Sequence, residues 1–449
     1  MFKRNDRHHI TFRELFRKGG IPEKLSFLIM GAANLANKQI VKGLIFLGAQ
    51  IGFITWFVIN GYHALSMLQT LGTNKQGLIY DEALGIDILQ AGDNSMLILL
   101  FGIAAILVCI LLIVLYVINL KSARNIYELK QAGTKIPTLK DDLVSLVNER
   151  FHTTLMTIPL LGVLFFTILP LLYMISIAFT NYDHQHLPPK NLFTWVGFSN
   201  FANVITGNMA STFFPVLGWT LTWAIFATLT CFLFGIILAL LINAKGIKYK
   251  KVWRTIFVIT MAVPQFVSLL IMRNLLNDAG PVNTLLENWG WIERAIPFLT
   301  DPLYAKITVI FVNMWIGIPA TMLVSTGIIQ NLDRDQIEAA EIDGASKFQI
   351  FRAITFPQIL FVMTPALIQQ FIGNINNFNV IFLLTGGGPT NSNFYGAGST
   401  DLLVTWLYNL TVNKMDYNLA SVIGILIFIL SAIFSLAAYT RTNSYKGAQ

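Results

Sequence analysis

Eight apolar runs constrain this chain more than any other feature, each long enough to cross a hydrocarbon layer of roughly 30 Å as a helix. They lie near residues 43–65, 96–118, 155–179, 214–242, 255–276, 304–330, 356–384 and 419–440. Lipid offers no partner to a free N–H or C=O, so a spanning segment must satisfy its own backbone. The expected fold is therefore an all-α integral membrane protein with eight transmembrane helices. Composition agrees: 12% of the 449 residues are charged, about half the share in a soluble domain. The formal net charge of +8 raises nucleic acid as a partner. A nucleic-acid binder gathers its Lys and Arg on one soluble face, whereas here they fall in short segments between the apolar runs.

That distribution sets the expected orientation. Of the 31 Lys and Arg, only Lys75, Lys190, Arg273, Arg294, Lys306 and Lys414 fall in one set of alternate segments. The excess lies in the other set, which includes both termini, so both termini are expected in the cytoplasm. The opening MFKRNDRHHITFRELFRKGG stays charged too long for a signal peptide and shows no cleavage pattern. Cys109 and Cys231 both sit inside apolar runs, which excludes a disulfide framework and leaves no basis for a zinc site.

Within the runs, Asp, Glu and His are absent apart from His63 at the end of the first. Ion-coupled carriers place ionisable relays at membrane depth, so that class is disfavoured. An enzyme would need a nucleophile with a base, or a metal cluster, and neither is evident. No catalytic residue, metal or cofactor is expected in this chain. Arg273, near the outer end of the fifth run, suits snorkelling to headgroups. Pro159, Pro170, Pro264, Pro319 and Pro365 interrupt the later runs, as in kinked helices around a midplane site.

Two polar stretches stand out. The first, QNLDRDQIEAAEIDGASKFQIFRAITFPQIL, covers residues 330–360. It predicts a short helix over Glu338–Asp343, a turn at Gly344, a second helix over Ala345–Ile354 and the next span starting at Pro357. Such a helix–turn–helix at the membrane surface could dock into a groove on a cytoplasmic partner. The second is QQFIGNINNFN, residues 369–379, six of which carry amides between apolar neighbours. An unpaired amide in hydrocarbon is costly. On one helix, Gln370, Asn374 and Asn377 share a face, and Asn313 and Trp315 on the sixth span could meet it across a cavity. Neutral amides with an aromatic suit an uncharged polyol. Helix–helix bonding is the alternative use of membrane amides, and it is the expectation for Asn376 and Asn379.

The spacing Glu338-Ala339-Ala340, Gly344, Ile354, Phe356-Pro357 resembles the EAA motif of bacterial ABC-importer permeases, with Phe where the family usually has Leu. The wider resemblance, through VNMWIGIP, NNFNVIFLLTGGGP and TDLLV, is to the larger permease subunit of maltose and maltodextrin importers, and covers roughly residues 150–440. It implies a multi-pass protein of the bacterial plasma membrane. The implied layout is a cytoplasmic extension (1–42), two accessory spans (43–118), a cytoplasmic linker (119–154), a six-span permease core (155–440) and a short cytoplasmic tail (441–449). Within that core, the loop 331–357 would couple to an ATPase through Glu338, Ala339, Ala340, Gly344, Ile354 and Pro357. It implies as partners a homologous second permease, two ABC ATPase subunits that bind ATP and Mg²⁺, and an extracellular sugar-binding protein. A GxxxxGK[ST] phosphate loop is absent from this sequence.

The resemblance also implies that Asn313, Ile316, Gly317, Ala320, Gln370, Gly373, Asn374 and Asn377 line a sugar site. Gln370, Gly373 and Ala320 depart from the best-known member, which has serine, phenylalanine and tyrosine there. Losing two aromatics would enlarge the cavity and admit longer sugars. The expected substrate is an oligosaccharide, maltodextrin first, with galacto-oligosaccharide or another multiple-sugar cargo as the alternative. A large domain that some members insert between the third and fourth spans is missing, since the loop 181–213 is short.

Overall fold

A computed structural model describes residues 10–81, 85–244 and 246–440. The first nine residues and the expected tail 441–449 lie outside the described residues. The chain forms two compact units, Met1–Val196 and Gly197–Gln449. It is mostly helical, and among the described residues seven helices are long and apolar enough to cross a membrane, or eight if one sharply bent pair counts as a single span.

In the first unit three short helices, α1 (Phe12–Lys18), α2 (Ile21–Leu25) and α3 (Ala32–Ala36), precede the first span, α4 (Ile40–Met67). A hairpin of β1 (Gly77–Asp81) and β2 (Ile86–Gln90) leads to the long α5 (Ser95–Gln131). The amphipathic α6 (Leu139–Val147) and the span α7 (Phe151–Ile177) complete the unit. The N-terminal segment is an ordered cap on the end of α5. Leu15 and Ala33 bury against Ala123 and Ile126, and the Gly31 N–H donates to Asn119 Oδ1 at 2.8 Å while Asn119 Nδ2 donates to the Ser26 carbonyl at 2.9 Å. Lys130 Nζ reaches the buried Glu23 carboxylate at 2.8 Å.

The hairpin corrects the all-α expectation. It pairs Gly77 with Gln90 and Asp81 with Ile86 in antiparallel register. Its strands are five residues each, too short to cross a bilayer, and they carry the branched and aromatic side chains that favour extended backbone.

The second unit is arranged around α9 (Ala210–Asn243), which follows the short α8 (Ser199–Ile205). Next come α10 (Lys250–Ala262) and α11 (Gln265–Leu275), bent from each other by 90°. The sequence suggested one span here, kinked at Pro264, and the break is sharper than a kink. Val263 is extended (φ −77°, ψ 126°) because the ring of Pro264 disfavours helical backbone in the residue before it. The short α12 (Pro281–Asn288) and the span α13 (Pro302–Gln330) follow, α13 being started by Pro302 and by Asp301, whose carboxylate accepts from the Leu303 and Tyr304 N–H groups. The chain continues through α14 (Arg334–Ile342), the span α15 (Lys347–Ile375), α16 (Phe378–Leu384), α17 (Leu403–Asn409) and the last span, α18 (Tyr417–Ala438).

The core explains why α9 is central. Thr220, Ala224, Ala227, Thr228, Cys231, Gly235 and Ala239 form a buried stripe of small residues along it, the pattern that lets membrane helices approach closely. A Cβ at Gly235 would stand 2.6 Å from the Thr321 side chain of α13. Trp219, Trp223, Leu269, Val309, Val380 and Leu402 bury around this stripe. Between α16 and α17 the loop 385–401 is closed by a buried carboxylate. Asp401 Oδ2 accepts from the Gly398 N–H at 2.7 Å, and burial pushes its carboxyl above the ordinary range against the lowering effect of the Gly398 and Thr405 hydrogen bonds.

Candidate functional site

The loop stretch folds as two helices joined by one turn. Asp333 caps α14, its carboxylate accepting from the Asp335 N–H at 3.1 Å. The Asp343 N–H returns to Ala339 O at 3.0 Å and the Ala345 N–H to Ala340 O at 3.0 Å. Between them Gly344 sits at φ +79°, the left-handed conformation that glycine adopts without a Cβ penalty. Ser346 then caps the next helix, accepting from Gln349 N while the Gln349 side chain accepts from Ser346 N.

The second helix was expected to stop before a span beginning at Pro357. It instead starts at Lys347 and runs unbroken to Ile375. The join is a π turn over Phe351–Thr355, in which the Phe356 N–H donates to Phe351 O. Proline has no N–H and its ring crowds the preceding turn's carbonyls; the wider turn gives the ring room and keeps the helix continuous. Glu338, Ala339, Gly344 and Pro357 are exposed, and Ala340 and Ile354 are half-buried. Ile342 and Phe348 project beside them at 85% and 69% exposure. A cleft of about 660 Å³ lies behind this surface, lined by Asn243, Lys250, Gln330, Ile337, Glu338 and Glu341.

The amide stretch is not one helix. Helix α15 ends at Ile375, Asn376 is its C-cap, and Asn377 is the N-cap of α16. Asn377 Oδ1 accepts from the Val380 N–H at 3.3 Å and its Nδ2 donates to Asn374 Oδ1 at 3.5 Å. Asn374 is buried, its Nδ2 donating to Thr228 Oγ1 on α9 at 3.0 Å. Its carbonyl accepts from Trp223 Nε1 at 3.0 Å. Gln370 is half-buried and Gly373 exposed. Asn376 and Asn379, expected to bond between helices, are both exposed, and Asn376 Nδ2 donates to Ile372 O of its own helix.

On α13, Asn313 is buried beside Cys231, with Nδ2 at 3.6 Å from Sγ. A Cβ at Gly317 would run into the same Sγ. Ile316 packs on the core around Trp219 and Trp223, while Trp315 and Ala320 are exposed. The structure thus brings Asn313, Gly317 and Asn374 together on one surface of α9, where Thr228 and Cys231 are one helical turn apart. Those two α9 residues carry no charge and belong to no motif. The small-residue stripe Ala227, Cys231, Gly235, Ala239 at four-residue intervals was the signal in the sequence that marks this helix as the hub.

Residues 231–443 match the family model described as "Binding-protein-dependent transport system inner membrane component". Across its length the chain is 35% identical to the maltodextrin transport system permease protein MdxF of Bacillus subtilis (strain 168), covering 98% of both chains. It is 35% identical to the galactooligosaccharides transport system permease protein GanP of the same organism, over 93% of this chain and 97% of that one. Among solved structures, a chain of a bacterial ABC transporter involved in importing the acidic polysaccharide alginate superposes with a TM-score of 0.55 at 23% identity. That match covers 66% of this chain and 96% of the other, a likeness of fold.

Proposed function

Because the chain belongs to the family of inner membrane components of binding-protein-dependent transport systems, we propose that it is a permease subunit of an ATP-driven importer of oligosaccharides, maltodextrins first. In this reading residues 155–440 form a six-span core preceded by two accessory spans, and both termini face the cytoplasm of a bacterial cell. A homologous permease supplies the other half of the pathway, an extracellular binding protein delivers sugar, and two separate ATPase subunits bind ATP and Mg²⁺.

The observation that carries the proposal is the continuity of α15. Its 29 residues extend about 44 Å at 1.5 Å per residue, from the exposed turn at Gly344 to the amide stretch. Docking of an ATPase on Glu338, Ala339, Ala340 and Gly344 therefore acts on a rigid rod whose far end carries Gln370, Gly373 and Asn374. Closure of the ATPase dimer would tilt that rod and change which side of the membrane the site faces. Ile354 and Pro357 flank the π turn where the rod meets the loop.

At the site, Gln370, Asn377 and the exposed positions Gly373 and Ala320 offer neutral donors, acceptors and open space, while the buried Asn313 holds α13 against Cys231 of α9. With Ile316 and Gly317 shaping one wall, they suit a neutral oligosaccharide, and the stretch offers no Lys or Arg for an anionic one. Asn374 serves the site by holding the end of α15 on α9. Galacto-oligosaccharide is the second candidate cargo, since a relative of equal identity carries that name.

Uptake of labelled maltotriose by cells carrying the whole transporter tests the class and the cargo together. Uptake that survives a protonophore and stops on ATP depletion is expected. The reverse pattern would identify an ion-coupled carrier and overturn the proposal.

A further inference from the structure

The first unit holds a cleft of about 690 Å³ between α4 and α5, within the size range of small-ligand pockets. Two stripes at helical spacing face each other across it: Trp56, Asn60 and His63 on α4, and Phe101, Ala104 and Val108 on α5. The wall on α4 is where the helix widens into a π turn over Phe57–Gly61. From Leu97 to Val108 the α5 wall rises about 16 Å at 1.5 Å per residue, which is the depth of one bilayer leaflet.

Polarity is graded along this depth. Trp56, Ala104 and Val108 make one end apolar, and His63, Asp93 and Asn94 gather at the other. Asp93 is fixed in place: its Oδ2 accepts from the Thr73 N–H at 2.8 Å and the Asn74 N–H at 2.9 Å. Those backbone donors, Asn74 first, hold its carboxyl below the ordinary range, so it is ionised at neutral pH. Asn60 and His63 are exposed and Asp93 is half-buried, with His63 near enough to act on its charge, and among the described residues no Lys or Arg lines the cleft. At the edge of hydrocarbon this set of polar groups has a definite complement. It needs an acceptor for Asn60 and His63, a cation for Asp93, and an apolar chain for the deep end.

We propose that this cleft binds one phospholipid with a primary-ammonium headgroup. Its phosphate accepts from His63 and Asn60, its ammonium donates to Asp93 Oδ1, and one acyl chain lies against Phe101, Ala104 and Val108. An anionic headgroup would set its charge against the Asp93 carboxylate. A quaternary-ammonium headgroup has no N–H to give it.

The test uses the full chain with its transport partners, delipidated and placed in nanodiscs holding spin-labelled phosphatidylethanolamine, phosphatidylcholine or phosphatidylglycerol. A motionally restricted fraction largest for phosphatidylethanolamine is expected. Asp93→Asn keeps an acceptor for Thr73 and Asn74 but should bind that lipid about tenfold more weakly, as expected for losing one charge-assisted hydrogen bond. Ala104→Phe should fill the chain-binding end and lower restriction of all three lipids, and Ala104→Leu provides a milder variant with the same expected direction if Ala104→Phe disturbs folding. Equal restriction of the three lipids by the unmodified protein overturns the proposal. So does an Asp93→Asn variant that still prefers phosphatidylethanolamine.

Discussion

At the scale of single residues, membrane amides divide by what they reach. Asn374 reaches Thr228 at 3.0 Å, and this bond pins α15 to α9. Interhelical bonds of this kind contribute about 0.6 kcal/mol on average in membrane proteins and up to about 1.7. Asn374→Ala and Thr228→Val should each destabilise the detergent-purified protein by that order, and the double variant should lose little more than either one. Unfolding free energies for the four forms of this cycle check it; fully additive losses would show that the two side chains do not share a bond. Asp401 makes a separate prediction. Its carboxyl is raised in the folded protein, so the folded state binds more protons than the unfolded one as pH climbs from the ordinary carboxylate value of about 3.9. The stability contribution of this group is therefore best below that value and is lost as pH rises through the folded pKa. Asp401→Asn keeps an acceptor for the Gly398 N–H and should flatten that part of the melting-temperature profile. A variant profile parallel to the original would contradict it.

At the scale of elements, the same residues show what was legible in the sequence. Apolar length located most of the spans to within a few residues, because lipid imposes length on any helix that crosses it; α5 runs 13 residues beyond its expected end, and α15 lies nine residues ahead of its expected bounds at both ends. The EAA spacing located the loop and its turn, because Gly344 is where a left-handed backbone is needed. Two features were not legible: the continuity of α15 past Pro357, and its end at Ile375. A proline reads locally as a helix start, yet a π turn absorbs it here; and an amide reads as a continuing polar face, yet Asn377 turns to cap α16. Pro357→Ala removes the reason for the wide turn. If the turn relaxes to ordinary α-helix, losing one residue of overhang rotates α14 by about 100° about the rod. The complex should still assemble, but ATP hydrolysis per sugar imported should rise, as measured by parallel ATPase and uptake assays in proteoliposomes. An unchanged ratio would mean that the turn plays no part in transmission.

At the scale of the whole molecule, the two compact units differ in how they are held together. The second is organised by one helix, α9, whose small-residue stripe admits α13 closely enough that Gly235 faces Thr321 directly. The first is organised from the end of α5, where a charged N-terminal segment buries Glu23 against Lys130 and satisfies Asn119 on both sides. A segment that looked like an extension by composition is thus a structural cap, since its leucine and alanine faces bury only once α5 is there to receive them.

What the sequence determined by itself is whatever the bilayer or a local backbone requirement dictates: the number and place of the apolar runs, the interruption at Pro264 and the glycine turn at 344. Each of these is a constraint on one segment with its solvent or with its own neighbours along the chain. Only the tertiary structure decided the role of Thr228 and Cys231 as partners of Asn374 and Asn313, and the polar mouth formed by His63 and Asp93. These depend on which helices meet and at what depth. A membrane interior is uniformly apolar, so hydrophobic pattern carries little information about which face of a helix meets another; that choice falls to close packing and to single hydrogen bonds, which appear only when the helices are brought together.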